Sequence, residues 1–189
     1  MDKEDYKEDY KEAFRAQKIF RELLDAFSRP FRVVDIESND DAVKELCFVL
    51  LDSEVSFYVD EGAELMSDIK EMTYAKTKDI ESADFVILTK PHRFEMFDKI
   101  KRGTLSNPHK GATVIAIVNQ IYGEEMLTAQ GPGIKVKYSC CVDKSIVEFL
   151  DKAAKFETEY PKGFELLFTT PAGEMLAVPR RVKVCGRDN

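Results

Sequence analysis

The segment KRGTLSNPHKGATVIAIVNQI, residues 101–121, joins a basic loop to an apolar stretch of strand length. From residue 112 to residue 120 the chain is largely apolar at both odd and even positions. The β-branched residues of this stretch are Thr113, Val114, Ile115, Ile117 and Val118. A strand that is apolar on both sides is typical of a sheet covered on both faces. We therefore predict that residues 112–120 form the central strand of such a sheet.

Hydrophobic periodicity predicts helices that alternate with short strands over the first two thirds of the chain. The predicted helices cover residues 12–29, 41–51, 63–72, 92–102 and 144–156. Asp40 and Asp143 are the predicted N-caps of the second and the last of these helices. The remaining predicted strands cover residues 32–36, 55–59, 85–88, 126–129, 136–142, 164–169 and 175–178.

The order of these elements predicts the fold class. Tyr122-Gly123 is expected to turn the chain, so that residues 126–129 pair with the central strand as an antiparallel hairpin. A second hairpin is expected around Pro171-Ala172-Gly173. We therefore predict an α/β fold with a mixed central sheet and helices on both faces.

Length and composition predict one domain, residues 13–189, preceded by a charged lead, residues 1–12. The lead reads MDKEDYKEDYKE and carries six acids against three lysines. We interpret it as a solvated segment, and a frayed helical turn or a disordered lead are the alternatives.

Charge is distributed unevenly along the sequence. The whole chain carries a formal net charge of −7, which argues against a nucleic-acid-binding protein. Residues 90–111 nevertheless hold six cations against two acids, and residues 180–189 hold four cations against one acid. We therefore predict that any anion site draws on the middle and the end of the chain.

Neither a metal site nor a membrane segment is expected. The four cysteines lack CxxC or metal-ligand spacing, and we interpret them as reduced thiols. No apolar run approaches the ~18 residues of a spanning helix, and the acidic first residues differ from a signal peptide. The sequence therefore predicts a soluble, cytoplasmic protein.

The loop before the central strand is the first candidate for a ligand site. Arg102, His109 and Lys110 would supply cations and a hydrogen-bond donor, and Gly111 would let a phosphate or phosphonate group approach the backbone. The alternative is structural. Asn107-Pro108 would set an extended turn, His109 would hydrogen-bond within the loop, and Gly111 would allow close packing.

Other segments support both a functional and a structural interpretation. Arg29 would join the same pocket or bind a partner's carboxylate, or it would be a solvated residue at a helix end. Gly131-Pro132-Gly133 indicates either a tight turn or the close approach of a ligand. Lys90 follows an apolar strand, but no residue pattern for pyridoxal phosphate accompanies it. Arg180-Arg181 is either a solvated edge or a docking patch.

No complete catalytic pattern is present in the sequence. Only His92 and His109 could serve a nucleophilic triad, and neither a nucleophile elbow nor a GxxxxGK[ST] phosphate loop occurs. We therefore assign no catalytic residue, no cofactor and no metal.

Five blocks of the sequence, taken in order, carry a family resemblance. They are FRELLDAFSRP (20–30), ADFVILTKP (83–91), KRGTLSNPHKG (101–111), LTAQGPGIK (127–135) and YPKGFELLFTTPAGEMLAVPRR (160–181). Their order and spacing resemble those of the PhnH family. Members of that family are a subunit of the carbon–phosphorus lyase core complex of phosphonate-using bacteria. Two positions depart from the family pattern. Phe31 stands where the family usually has glycine, and Arg181-Val182 replaces a pair of threonines.

The resemblance implies a fold similar to the large domain of pyridoxal-phosphate transferases, without the residues that hold the cofactor. It also implies assembly with the G, I and J components of the lyase, of which the J component carries the radical chemistry. A homodimer is implied for the isolated subunit.

The function implied is that of a non-catalytic or accessory subunit needed for phosphonate catabolism, in which phosphonates become ribose-1-phosphonate intermediates and phosphate is released. The alternative is a stand-alone enzyme or binding protein for a phosphorylated sugar or phosphonate. That protein would use a cationic pocket around Arg102, His109 and Lys110.

Overall fold

A seven-stranded mixed sheet forms the centre of the computed structural model, which describes residues 3–38, 41–90, 94–156 and 160–186. The strands of the described chain are β1 (Val33–Asp35), β2 (Ser56–Val59), β3 (Lys76–Thr77), β4 (Phe85–Leu88), β5 (Thr113–Ile117), β6 (Tyr122–Gln130), β7 (Tyr138–Val142), β8 (Glu165–Thr169), β9 (Glu174–Val178) and β10 (Lys183–Cys185). The helices are α1 (Lys3–Ser28), α2 (Ala42–Leu50), α3 (Ala63–Thr73) and α4 (Lys144–Ala154), with 3₁₀ helices at Phe94–Lys99 and Pro108–Lys110.

The large sheet has the strand order β1-β9-β8-β5-β4-β2-β3. Strands β3, β2, β4, β5 and β8 are parallel, whereas β9 and β1 are antiparallel to their neighbours. β5 lies fourth of seven, which confirms the predicted central strand. A separate three-stranded antiparallel sheet has the order β10-β6-β7.

Both faces of the large sheet are covered, and the alternation of side chains along β5 shows how. Val114 and Ala116 pack into a core with α4 and the second sheet, whereas Ile115 packs into a different core with α1, α2 and α3. All three residues are buried. A mixed α/β fold with helices on both faces of a central sheet is therefore confirmed.

Aspartate side chains cap two of the helices. Asp143 accepts a hydrogen bond from the backbone N–H of Ser145 at 2.9 Å, as predicted for the start of α4. The cap of α2 is Asp41, which accepts from the N–H groups of Val43 and Lys44. The prediction that Asp40 caps α2 is therefore wrong by one residue, and Asp40 itself lies outside the described residues.

The hairpin predicted between the central strand and residues 126–129 is wrong. β4 and β8 occupy the two edges of β5 as parallel neighbours, so no backbone donors or acceptors remain there for β6. β6 instead pairs with β7 and β10 in the second sheet. The predicted β8–β9 hairpin is confirmed.

Two predicted helix boundaries also change. The helix predicted over 92–102 is a short 3₁₀ helix, Phe94–Lys99, and residues 91–93 lie outside the described residues. α1 begins at Lys3 instead of near Glu12, because no proline or glycine interrupts the chain before Pro30. Most of the charged lead is therefore the first part of α1.

None of the helices in the described part of the chain is both long enough and apolar enough to cross a bilayer.

Candidate functional site

Two neighbouring clefts lie beside the loop that precedes β5. The proline cleft has a volume of about 470 Å³ and includes His109 and Arg181 among its lining residues. Its lining includes four of the seven prolines of the chain, Pro108, Pro132, Pro161 and Pro179. Phe27 and Ser28, at the end of α1, complete one side.

The basic cleft has a volume of about 450 Å³ and lies between α4, the end of β9 and β10. Apolar side chains, many of them from α4 and the strands, are more than half of its lining residues. The cations that line it are Arg102, Lys162, Arg180, Arg181 and Lys183, and Asp151 is the one acid among its described lining residues.

Arg180 lines both clefts and connects the loops around them. Its Nη1 donates to the carbonyl oxygen of Pro108, and its Nε donates to the carboxylate of Glu165. The backbone N–H of Arg180 donates to the same carboxylate at 2.8 Å. The side chain therefore fixes the 3₁₀ turn of His109 against the start of β8.

Arg102 holds the end of the 3₁₀ helix that precedes it. Its Nη1 and Nη2 donate to the carbonyl oxygens of Asp98 and Phe97, at 3.0 and 2.5 Å, and its Cζ lies 6.0 Å from the ring centroid of Phe164. Its Nε is buried without a hydrogen-bond partner. Burial lowers the pKa of Arg102 below its ordinary value, and the charge of Asp98 opposes that shift.

The predicted site residues do not converge on one cleft. His109 lines the proline cleft and Arg102 lines the basic cleft, whereas Lys110 is exposed and belongs to neither lining. Arg29 is exposed and pairs with Asp25, one turn earlier in α1. Ligand binding by these residues stays a prediction.

Gly111 has a packing role that accounts for the glycine. A Cβ at this position would lie 2.1 Å from the carbonyl oxygen of Gly163. The backbone N–H of Gly163 donates to the carbonyl oxygen of Arg102 at 2.9 Å, and Arg102 and Gly111 form an isolated antiparallel bridge. Three backbone segments therefore meet here without room for a side chain.

The Gly131-Pro132-Gly133 turn packs against the end of α1. A Cβ on Gly133 would lie 2.6 Å from both the carbonyl oxygen of Ser28 and the Cδ of Pro30. The close approach at this turn is therefore made by the chain's own backbone and proline ring. Its second glycine also has a φ of 85°, in the left-handed region that favours glycine.

Lys90 does not lie in a desolvated pocket. Its side chain is 62% exposed and forms an ion pair with Glu61. Lys90 therefore lacks the desolvated surroundings that activate a Schiff-base lysine.

The sequence supported two interpretations of Arg180 and Arg181, a solvated edge and a docking patch. It did not indicate Lys162 or Lys183 as site residues. The excess of cations over residues 180–189 was the available signal, and the structure brings part of that segment beside Arg102. Lys162 carried no signal, because its position in the cleft depends on the packing of the segment before β8.

Among the residues that the structure describes, no group of three or more His, Cys, Asp or Glu side chains is arranged to hold a metal ion. Cys47, Cys140, Cys141 and Cys185 are free thiols.

Comparison with known proteins identifies the family to which the sequence is similar. The family model described as "Bacterial phosphonate metabolism protein (PhnH)" matches residues 8–185. A relative from Stutzerimonas stutzeri, named "Putative C-P lyase subunit protein HtxG", is 26% identical over 173 residues, covering 92% of this chain and 87% of the relative.

A second relative, from Rhizobium meliloti (strain 1021), is named "Alpha-D-ribose 1-methylphosphonate 5-triphosphate synthase subunit PhnH". It is 25% identical over 184 residues, covering 90% of each chain. Because the family model matches nearly the whole sequence, this chain belongs to the PhnH family of bacterial phosphonate metabolism proteins.

Proposed function

We propose that this chain is an accessory, non-catalytic subunit of a carbon–phosphorus lyase complex needed for the catabolism of organic phosphonates. The observation that carries the proposal is the family match over residues 8–185. The names of both curated relatives, each of which describes a subunit, support it. The partners would be the G, I and J components, and the complex would act in the cytoplasm.

An exposed apolar surface on α1 supports a role in assembly. Phe20 and Leu24 lie one helical turn apart and are 46% and 53% exposed. Phe27 follows on the same side of the helix and lines the proline cleft. Apolar surface of this kind, continuous with a cleft, is typical of protein–protein contacts. We name Phe20, Leu24 and Phe27 the α1 apolar surface.

The test is co-expression of a tagged chain with the G, I and J components, followed by affinity purification. We expect all components to be recovered together. Phe20→Glu with Leu24→Glu should reduce their recovery about tenfold or more, because charges would be buried in the contact. Met66→Glu, an exposed apolar position on α3, is the matched control. Recovery of the wild-type chain alone would contradict the proposal.

The isolated chain is proposed to be a homodimer, by family resemblance. Light scattering coupled to size-exclusion chromatography would show twice the 21.6 kDa mass of one chain. A monomer at all concentrations would contradict this part of the proposal without affecting assembly with other components.

The alternative, a stand-alone enzyme or binding protein that uses Arg102, His109 and Lys110, has weaker support. These residues do not line one cleft, so they offer no shared pocket for a ligand. Turnover of a ribose phosphate or an alkyl phosphonate by the purified chain would favour the alternative. So would a ligand-dependent rise in melting temperature that His109→Ala abolishes.

We also infer that the fold is related to the large domain of pyridoxal-phosphate transferases and has no cofactor. The exposure of Lys90 and its pairing with Glu61 support this inference. When the purified chain is incubated with pyridoxal phosphate, we expect no absorbance from a Schiff base on Lys90. An absorbance band that Lys90→Ala removes would contradict the inference.

Finally, we propose that residues 13–189 are one folding unit. Limited proteolysis should remove at most the first residues and leave a single resistant fragment. Two stable fragments from an internal cleavage would contradict it.

A further inference from the structure

We propose that the basic cleft binds an organic phosphate, in which a dianionic phosphoryl group is joined to an apolar or aromatic body. The proposal goes beyond the accessory function, because it concerns a ligand of the chain itself and does not depend on any partner subunit.

The first observation is an excess of positive charge in a chain of net charge −7. Arg102 comes from the middle of the sequence, whereas Arg180, Arg181 and Lys183 come from its end. Packing brings these two basic segments to one cleft, where Asp151 is the one acid among the described lining residues. Like charges repel, so such a cluster favours a bound anion.

The second observation is that the carboxylates in the described part of the chain leave most of this charge uncompensated. Among the described residues, Lys162 and Lys183 form no ion pair, and Arg102 bonds only to carbonyl oxygens. Arg181 stacks on Tyr160, with its Cζ 4.9 Å from the ring centroid. Of the five cations that line the cleft, Arg180 is the one that pairs with an acid of the described chain, Glu165.

The third observation concerns the shape and lining of the cleft. A volume of about 450 Å³ lies within the range of small-molecule sites, which are mostly apolar with a few polar groups that fix orientation. Leu150, Phe156, Val178 and Val182 supply apolar lining. A ligand with an anionic end and an apolar body matches both parts. A phosphoryl dianion matches several cations better than a carboxylate, because it carries more charge and a third acceptor oxygen.

The experiment uses the full chain at low ionic strength with phenyl phosphate as the probe. We expect phenyl phosphate to raise the melting temperature in a saturable way, inorganic phosphate to raise it less, and phenol to leave it unchanged. Lys162→Ala with Lys183→Ala should weaken the apparent affinity about tenfold or more, because charge-assisted hydrogen bonds are lost. Lys76→Ala, an exposed lysine on β3, should bind like wild type.

A second measurement keeps the test independent of variant folding. In amide NMR spectra of the wild-type chain, phenyl phosphate should shift the signals of Gly163 and Val184, which line the cleft.

Three outcomes would overturn the proposal. They are no response at roughly 10 mM phenyl phosphate, an undiminished response in the double lysine variant, and inorganic phosphate that acts as strongly as phenyl phosphate. None of these outcomes bears on recovery of the lyase components, so failure here and failure of the accessory function are distinguishable.

Discussion

Gly111 and Gly163 pack backbone against backbone, and a Cβ at position 111 would lie 2.1 Å from the carbonyl oxygen of Gly163. This contact joins the loop before β5 to the segment before β8. His109 and Lys162 lie within two residues of this contact in the sequence. The contact therefore links a segment that lines the proline cleft to one that lines the basic cleft.

Gly111→Ala should destabilise the protein by about 3 kcal/mol, because the backbone must move to accommodate the methyl group. Urea denaturation followed by circular dichroism would measure the loss. Gly186→Ala is the matched control, since a Cβ there meets nothing within 4 Å and stability should be unchanged. Equal stability of the two variants would contradict the packing seen at Gly111.

Phe31 combines a left-handed backbone with a fully buried ring. Its φ is 66°, its side chain is 0% exposed, and its N–H donates to the carbonyl oxygen of Ala177 at 2.9 Å. Phe31→Ala should cost about 3–5 kcal/mol through loss of the ring. Phe31→Gly loses the same ring but relieves the strain, so it should be about 1 kcal/mol more stable than Phe31→Ala.

Phe168 provides the control for this comparison. Its ring is equally buried, but it lies in β8, where glycine weakens a strand. Phe168→Gly should therefore be less stable than Phe168→Ala. The same order of stability at both positions, measured by urea denaturation, would refute the strain assigned to Phe31.

Asp84 should contribute a pH-dependent part of the stability. Burial acts to raise its pKa, but hydrogen bonds from Lys101 and Ser56 outweigh burial and leave the pKa below its ordinary value. A carboxylate with a lowered pKa stabilises the folded state above its unfolded pKa of about 3.9. That contribution is lost as the pH falls through the folded pKa.

Carbon-detected NMR titration of the Asp84 carboxyl group would measure this pKa directly. Lys101→Met should raise the pKa, and Asp84→Asn should flatten the loss of stability between about pH 5 and pH 2. Glu71→Gln, at an exposed position on α3, should leave that loss unchanged. An unaltered pKa in Lys101→Met would rule out the ion pair as its cause.

The cysteines should react with alkylating reagents in an order set by burial. Burial raises the pKa of Cys47 to about 12, so its thiolate is scarce at neutral pH. Cys141 and Cys185 are exposed. Iodoacetamide should modify these two first, and Cys47 should react only when the protein unfolds, as peptide mass spectrometry would show. Early modification of Cys47 in the folded protein would be the contrary result.

Elements with strong local patterns were predictable from the sequence. The apolar run that forms β5, the strand β4 and the cap at Asp143 all follow from side-chain type and spacing within a few residues. The strand partners were less predictable. The hairpin expected for residues 126–129 fails because the edges of β5 are filled by β4 and β8, and β8 lies nearly fifty residues further along the chain.

The candidate site shows the same division. Arg102 and His109 belong to the same short segment of sequence, yet they line different clefts, and Arg180 lines both. Its hydrogen bonds to Pro108 and Glu165 join segments that are far apart in the sequence. No local pattern could have indicated that arrangement.

The sequence by itself determined the family, the apolar central strand and the uneven charge, because each is a property of residue types in order. Tertiary structure alone decided which cations meet, since Arg102 and Lys183 line one cleft only in the folded chain. Tertiary structure also explains why position 31 favours glycine, because the folded backbone has a positive φ there. Both features depend on packing between distant segments of the chain, which the spacing of neighbouring residues does not predict.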